Sequence, residues 1–228
     1  MIKKIMVFMF LFGCLAAKAQ QPGEDKLGAW YMYFGTNKVS EKFSIHTEAQ
    51  IRLYETTSNF NQLLLRTGLN YHINPDAIAT MGYGYIGTDN TFFEFPEEVD
   101  SKEHRIFEQF ILKNKVWEFL FEHRYRLEQR FLDLGDVTDT QHRARYRLQM
   151  TLPLTDTFFL NFYDELFINL QDDLFGQNRL YGAVGVNITE NSSLQIGYMR
   201  NQFANAVYDR LQVAFFFNPD LRGLFKKK

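Results

Sequence analysis

Cysteine is all but missing from this chain. The one present, Cys14, sits in an apolar stretch close to the start. Lys3 and Lys4 form a short basic head, an apolar run follows from Ile5 to Ala17, and Ala17-Lys18-Ala19 ends it with a small-x-small site. That is the layout of a secretory signal peptide, with cleavage expected between Ala19 and Gln20. Leu11-Phe12-Gly13-Cys14 is also a loose lipobox that would make Cys14 a lipid anchor, but Phe12 fits such a site poorly. With residues 1–19 removed no cysteine remains. A disulfide framework, a thiolate nucleophile and a Cys-ligated zinc site are thereby excluded.

Other absences narrow the field further. Beyond residue 19 no apolar run approaches twenty residues, so no transmembrane helix is expected. A basic surplus is lacking too. Losing Lys3, Lys4 and Lys18 takes Lys+Arg from 25 to 22 against 27 Asp+Glu, moving the formal charge from −2 to −5. A nucleic-acid partner calls for a basic chain with a clustered patch, so none is expected. There is no repeat at solenoid period, no linker and no low-complexity tract, which leaves one domain.

Aromatic residues, by contrast, are abundant: 24 Phe and 12 Tyr in 228 residues, with a negative mean hydropathy of −0.30. Many rings without long apolar runs is the product of alternating strands. Phe121–Phe131, FEHRYRLEQRF, displays the alternation. Glu122, Arg124, Arg126, Glu128 and Arg130 form one row; Phe121, Tyr125, Leu127 and Phe131 form the other. A helix would smear these charges around its circumference, whereas a strand sends successive side chains to opposite faces.

The pattern recurs. Ser44, His46, Glu48, Gln50 and Arg52 oppose Phe43, Ile45, Thr47, Ala49 and Ile51. Arg66 and Asn70 oppose Leu65, Leu69 and Tyr71. Arg143, Arg145 and Arg147 oppose Ala144, Tyr146 and Leu148. Tyr163 and Glu165 oppose Phe162 and Leu166, and comparable rows carry Arg179 and Arg210. With less regular strands near 27–35, 77–88 and 103–113, about eleven strands are expected. Short joints at 72–76, 113–116, 153–156 and 189–192 alternate with longer ones at 54–60, 88–102, 132–140, 170–177 and 202–207. Short turns on one side and longer loops on the other describe an up-and-down antiparallel transmembrane β-barrel.

The expected fold is therefore all-β, a barrel of about 10–12 strands with a charged lumen. Residues 1–19 are the signal peptide, 20–217 the barrel and 218–228 a basic tail. Apolar rows face lipid and charged rows face the lumen. A soluble sandwich would invert these facings, but its strands run nearer five or six residues. Two points resist the reading. Single-chain bacterial barrels have an even number of strands, so either 27–35 is a plug, leaving ten, or two strands are merged, making twelve. On 103–113, turning Arg105 and Gln109 inward leaves Glu108 facing lipid, a conflict that a β-bulge would repair.

The segments Glu103-His-Arg-Ile-Phe-Glu-Gln109, His123-Arg-Tyr-Arg-Leu-Glu-Gln-Arg-Phe131, Arg143-Ala-Arg-Tyr-Arg-Leu148, Tyr163-Asp-Glu165 and Gln177-Asn-Arg-Leu-Tyr181, in this order, resemble the domain-of-unknown-function 2490 family. The resemblance covers nearly the whole chain after residue 19. It implies an outer-membrane-type barrel of a kind frequent in Bacteroidetes-type bacteria. It implies no activity and supplies no catalytic residues.

Several patterns invite chemistry. Gly82-Tyr-Gly-Tyr-Ile-Gly87 matches the dinucleotide pattern, but a loop and not a helix follows it, so the glycines read as a crowded or bent wall. His104, His123 and His142 recur at intervals of 19 residues, yet His123 and His142 lie on the lipid-facing parity and no acid shares it at ligand spacing. Serines are few. Ser44, His46 and Glu48 share the lumen row and are the best approach to a nucleophile–base arrangement, though geometry and not spacing identifies a triad.

The strongest constellation is the charged row set: Glu122, Arg124, Arg126, Glu128 and Arg130, then Arg143, Arg145 and Arg147, then Tyr163 and Glu165. Hairpin pairing puts the arginine row between two acidic rows. They form either an ion-pair network closing the lumen or a narrow pore that selects anions. The expected protein is an outer-membrane barrel, not an enzyme, with no cofactor and no metal. Its partners are outer-membrane lipid and the barrel-assembly machinery, and a small solute is compatible with the lumen. The alternatives are a lipid-modifying barrel enzyme and a soluble periplasmic barrel holding an apolar ligand.

Overall fold

The computed structural model describes residues 22–93, 100–171 and 173–225. The expected signal peptide, with its Ala19–Gln20 junction, lies outside the described residues, as do residues 226–228 of the basic tail. Eleven strands follow one another: β1 Leu27–Lys38, β2 Phe43–Leu53, β3 Phe60–Asn74, β4 Ala77–Thr88, β5 Ser101–Val116, β6 Phe119–Asp133, β7 Thr138–Pro153, β8 Phe158–Asn169, β9 Phe175–Thr189, β10 Ser192–Gln202 and β11 Val207–Phe217. A single helical turn, α1 Arg222–Phe225, ends the described chain. The strands close into one barrel in which each pairs with its sequence neighbours, and β1 pairs with β11.

The strand count corrects both alternatives drawn from the sequence. It is eleven, neither ten nor twelve, and residues 27–35 are no plug: they are part of β1, a strand of the wall. Hairpin-linked strands alternate in direction, so an odd number leaves the first and last pointing the same way. The seam is accordingly parallel, Leu27 opposite Asp209 through Gly35 opposite Phe217, and every other pair is antiparallel. An odd count also sends the two ends of the wall to opposite mouths. At one mouth lie the connections 54–59, 89–100, 134–137, 170–174 and 203–206, and there Val207 N donates to Glu24 Oε1 at 2.6 Å, just before β1. At the other lie 39–42, 75–76, 117–118, 154–157 and 190–191, where a parallel bridge between Lys38 and Asp220 holds the segment after β11. We call these the loop mouth and the turn mouth.

Most loop-mouth connections are shorter than composition indicates. β6 and β7 stay paired to Asp133–Thr138, so the polar stretch 132–140 shrinks to 134–137. Likewise the turn after β5 is 117–118 and not 113–116, with Trp117 in the left-handed region at φ 53° and 83 % exposed.

Side-chain facing follows the two-residue period. Glu48, Gln50 and Arg52 on β2, Arg66 and Asn70 on β3, Arg126 and Glu128 on β6, Arg145 on β7 and Glu165 on β8 are buried, while Ile51, Leu65, Leu69, Tyr125, Leu127 and Phe162 are exposed on the outer surface. On β5 the expected bulge is absent, since the strand pairs on both sides without a shift of register. Glu103, Arg105 and Phe107 face inward, and Glu108 faces out, where it accepts a hydrogen bond from Gln129 Nε2 of β6 at 3.1 Å. A polar neighbour on the same face removes the need for a bulge. Bulges occur instead near strand ends, at Arg52/Leu53, His72/Asn74, Phe167/Ile168 and Ser192/Ser193.

The glycines of Gly82-Tyr-Gly-Tyr-Ile-Gly87 lie within β4. A Cβ on Gly82 would overlap the ring of Phe107, which is fully buried across from it. The glycine therefore makes room for an aromatic side chain inside the barrel, and no nucleotide-binding turn is present there.

Candidate functional site

An inward row of charge on a closed sheet has nowhere to go except the lumen, and there each ion must find a partner or water. Strand pairing decides which partners meet. β7 lies between β6 and β8, with Arg145 opposite Arg126 on one side and Phe167 on the other. From that position its guanidinium reaches diagonally to both acidic rows. Arg145 Nη1 donates to Glu128 Oε1 at 2.7 Å, and Nη2 and Nε donate to Glu165 Oε1 at 2.7 and 3.0 Å.

Glu128 is the hub. Its side chain is 0 % exposed, and it also accepts from Arg143 Nη2 and Nε at 2.6 and 2.9 Å and from Arg105 Nη1 at 3.4 Å, with Arg126 Nη1 3.7 Å away. Glu165 accepts in addition from Arg124 Nη2 at 2.6 Å. Arg147 Nη2 donates to Glu122 Oε1 at 2.6 Å. Arg130 Nη2 and Nε donate to Glu103 Oε2 and Oε1 at 2.8 and 3.0 Å. All nine charged residues read from the sequence thus enter ion pairs. Tyr163 is brought in differently. Its ring stacks on Tyr181 at 4.6 Å between centroids and lies under the Arg147 guanidinium at 5.6 Å, and it makes no ion pair.

The network extends further than the β6–β8 rows. Glu48 accepts from Arg66 Nη1 at 3.0 and 3.1 Å and from Gln50 Nε2 at 2.5 Å. Among the described residues the inward arginines are 52, 66, 105, 124, 126, 130, 143, 145, 147, 179 and 210, eleven in all, against five glutamates, 48, 103, 122, 128 and 165. Sequence parity had put Arg52, Arg66, Arg179 and Arg210 on lumen rows without joining them to the network.

What sequence reading missed altogether is an aromatic layer among these arginines. Arg52 lies over the ring of Trp30 at 3.7 Å, and Arg179 over the same ring at 4.8 Å. Arg145, Arg179 and Arg143 lie over Phe167 at 4.1, 4.5 and 5.1 Å. Arg126 and Arg66 lie over Phe107 at 4.8 and 5.9 Å. Guanidinium planes stack on aromatic faces and hydrate more weakly than ammonium, which suits them to this packing. The only signal for it was a ring on an otherwise polar row, as with Phe107 between Arg105 and Gln109.

Two cavities of the lumen meet at this layer. A cavity of about 510 Å³ lies towards the turn mouth, lined by groups such as His46, Lys113, Glu122, Gln149 and Asn218. Another of about 450 Å³ lies towards the loop mouth, lined by groups such as Asn61, Gln141, Asn169, Phe203 and Arg210. Trp30, Arg52, Arg66, Arg145 and Arg179 line both and form the waist between them.

The other candidates separate. Ser44 Oγ shares a hydrogen bond with His72 Nε2 at 2.8 Å and accepts from Asn70 Nδ2 at 3.0 Å, while His46 Nε2 pairs with Glu48 Oε2 at 3.2 Å. Ser44 and His46 are thus drawn to different partners, and Ser44 is buried. His104 faces out beside the Tyr83 hydroxyl, and His123 faces out between Tyr146 Oη at 2.9 Å and Asn114 Oδ1 at 3.2 Å. Among the described residues no group of three or more His, Cys, Asp or Glu could hold a metal ion.

No curated protein and no solved structure matches the chain. A family model does. Residues 27–212, from the first strand of the seam to the middle of the last and so including every lumen charge described above, match the family described as "Protein of unknown function (DUF2490)", and the chain belongs to that family.

Proposed function

We propose that this chain is an exported barrel of the bacterial outer membrane, non-enzymatic, whose lumen is closed at mid-height by the arginine–glutamate–aromatic waist. Outer-membrane lipid and the barrel-assembly machinery are its partners. The observation that carries the reading is the outer surface. Side chains such as Met81 at 63 %, Leu69 at 52 % and Ile196 at 51 % exposure stand out from strand after strand around the wall. Soluble monomers rarely expose contiguous apolar patches beyond a few hundred Å². Even the shortest strands, of 11 residues, fit. At ~3.3 Å per residue and a tilt of ~40° such a strand climbs about 28 Å, enough for the ~25 Å apolar band of such barrels.

Closure favours a structural role over an open pore, because the groups that would line a channel at mid-height are bound to one another. The polar lumen also argues against an apolar ligand inside. Cell fractionation and bilayer recording test the reading together. The chain is expected in the outer-membrane fraction, released only by detergent, with its first residue Gln20 and no steady conductance in a planar bilayer. Recovery as a folded, detergent-free periplasmic protein would overturn the location. A stable open current would overturn the closed lumen.

A further inference from the structure

Cations outnumber acids on both sides of the waist, and most strongly towards the loop mouth. The loop-mouth cavity is lined by eight arginines and, among the described residues, one glutamate, Glu103, which Arg105 and Arg130 already hold. Three of the eight have no carboxylate within 4.0 Å among the described residues. Arg52 donates to the amide oxygens of Gln50, at 3.0 and 2.7 Å, and Gln62, at 2.6 Å. Arg179 donates to Asn201 Oδ1 at 3.4 Å and, with the Gln177 amide turned to satisfy both groups, to Gln177 Oε1 at 2.8 and 3.1 Å. Arg210 donates to the Asp209 carbonyl oxygen at 2.9 Å and lies against Gly28, where a Cβ would collide with it. Neutral amides orient these guanidiniums without cancelling their charge, and the Trp30 ring fixes the planes of Arg52 and Arg179.

Two buried donors of the waist, which borders both cavities, lack an acceptor. Trp30, 5 % exposed, has no partner for its Nε1–H, and Arg66, 8 % exposed, has none for its Nε–H. The wall therefore offers fixed cationic forks and spare N–H groups and is short of acceptors. Guanidinium forks match oxyanions bidentately.

We propose that the loop-mouth cavity is a binding site for a free tetrahedral oxyanion, phosphate or the phosphate of a small phosphomonoester, held by Arg52, Arg179 and Arg210. The proposal deepens the closed-lumen reading, since only a closed waist makes this end of the lumen a pocket.

The chain carries its own reporter. Its two tryptophans are Trp30 and Trp117, and Trp117 sits exposed at the opposite mouth. In the detergent-folded W117F chain, emission comes from Trp30 alone. Titrating sodium phosphate at constant ionic strength against sodium chloride is expected to change that emission saturably, and chloride alone is not. Glycerol 3-phosphate is expected to act like phosphate, and phosphatidic acid in bicelles to have no effect. Arg179→Gln is expected to weaken phosphate binding about tenfold or more, the loss of ~1.4 kcal/mol or more from charge-assisted hydrogen bonds. Lys113→Gln, on the turn-mouth cavity, leaves affinity unchanged. Should Arg179→Gln fail to fold, Arg210→Gln carries the same expectation. No saturable response in W117F, a response to the bicelles alone, or an equal loss in Lys113→Gln would overturn the proposal. The titration uses detergent-folded protein, so a failed fractionation or an open current would count against the function proposed above and leave this result readable.

Discussion

Glu128 and Arg145 are joined at 2.7 Å, yet removing one charge or the other has unequal consequences. Glu128→Gln keeps the size of the side chain and an acceptor oxygen. It converts the contacts from Arg143 and Arg145, at 2.6, 2.9 and 2.7 Å, from charge-assisted to neutral. With hydrogen bonds to charged groups worth roughly 1.5–3 kcal/mol and neutral ones about 0.5–1.5, each conversion loses about 1 kcal/mol, so about 3 kcal/mol for the set. It also strips the nearest counter-charge from Arg126, and the more distant of two from Arg105, in a lumen that already holds eleven arginines to five glutamates. Arg145→Gln moves the balance the other way. Glu128 keeps Arg143 and Arg105, and Glu165 keeps Arg124 at 2.6 Å. Neither carboxylate is stranded, so the cost falls short of the roughly 3–5 kcal/mol of a broken buried pair and is about 1–2 kcal/mol.

The expected order is therefore Glu128→Gln more destabilising than Arg145→Gln by about 1–2 kcal/mol. Urea unfolding of the detergent- or bilayer-folded barrel measures it, with tryptophan emission as the signal. The difference should persist at high salt, because buried pairs are screened far less than exposed ones. Arg145→Gln costing as much as Glu128→Gln would refute the argument that cation surplus governs this lumen. Both changes costing under about 0.5 kcal/mol, the range of ordinary surface substitutions, would mean that water solvates the row and the waist is not closed.

Facing is tested by Leu69→Arg on the outer surface of β3 against Gln149→Arg on the inner surface of β7. In a bilayer the first should cost about 2–4 kcal/mol at the midplane, and the second should leave folding nearly unchanged; the reverse order, read from folded fraction after refolding into liposomes, would mean inverted faces. Packing is tested at Gly82, where Gly82→Ala meets the Phe107 ring and should cost about 1–3 kcal/mol as overpacking. Adding Phe107→Leu should recover part of that loss in the same unfolding assay, and a purely additive double variant would show that the two residues do not share the space.

How much could be read from the sequence varied with the strand. On β2, β3, β6 and β7 the arginines and glutamates keep to one parity, and a one-residue slip would turn them all outward, so facing was legible. On β5 it was not, because Glu108 sits on the apolar row and only the outward Gln129 of the next strand explains it. β1, LGAWYMYFGTNK, has almost no polar row to follow. Its place in the wall depends on pairing with β11, a contact between chain ends that no local pattern encodes. The ion pairs of β6, β7 and β8 were legible in outline because adjacent hairpins fix which rows meet. The stacking of arginines on Trp30, Phe107 and Phe167 was not, because a ring on a polar row looks like a lapse in alternation until the far wall is in view.

The odd strand count and the waist are connected through β1. Its neighbours in the wall are β2 and β11, with Trp30 opposite Arg52 on one side and Gln212 on the other. Arg179 comes from β9, two strands beyond β11, and reaches the same ring across the lumen side. Closing the wall with ten strands would delete the strand that carries Trp30. Arg52 and Arg179 would then lose the ring that both pack against, and like charges left together in a lumen repel. The ring gives both guanidiniums an aromatic surface to pack against. The same strand buries Trp30 beside Tyr181, Ala183 and Met199, where Gln212 Nε2 donates to Met199 Sδ at 2.9 Å. A parallel pair is slightly less stable per residue than an antiparallel one. In this barrel the seam strand offsets that deficit by supplying the tryptophan on which the waist is built.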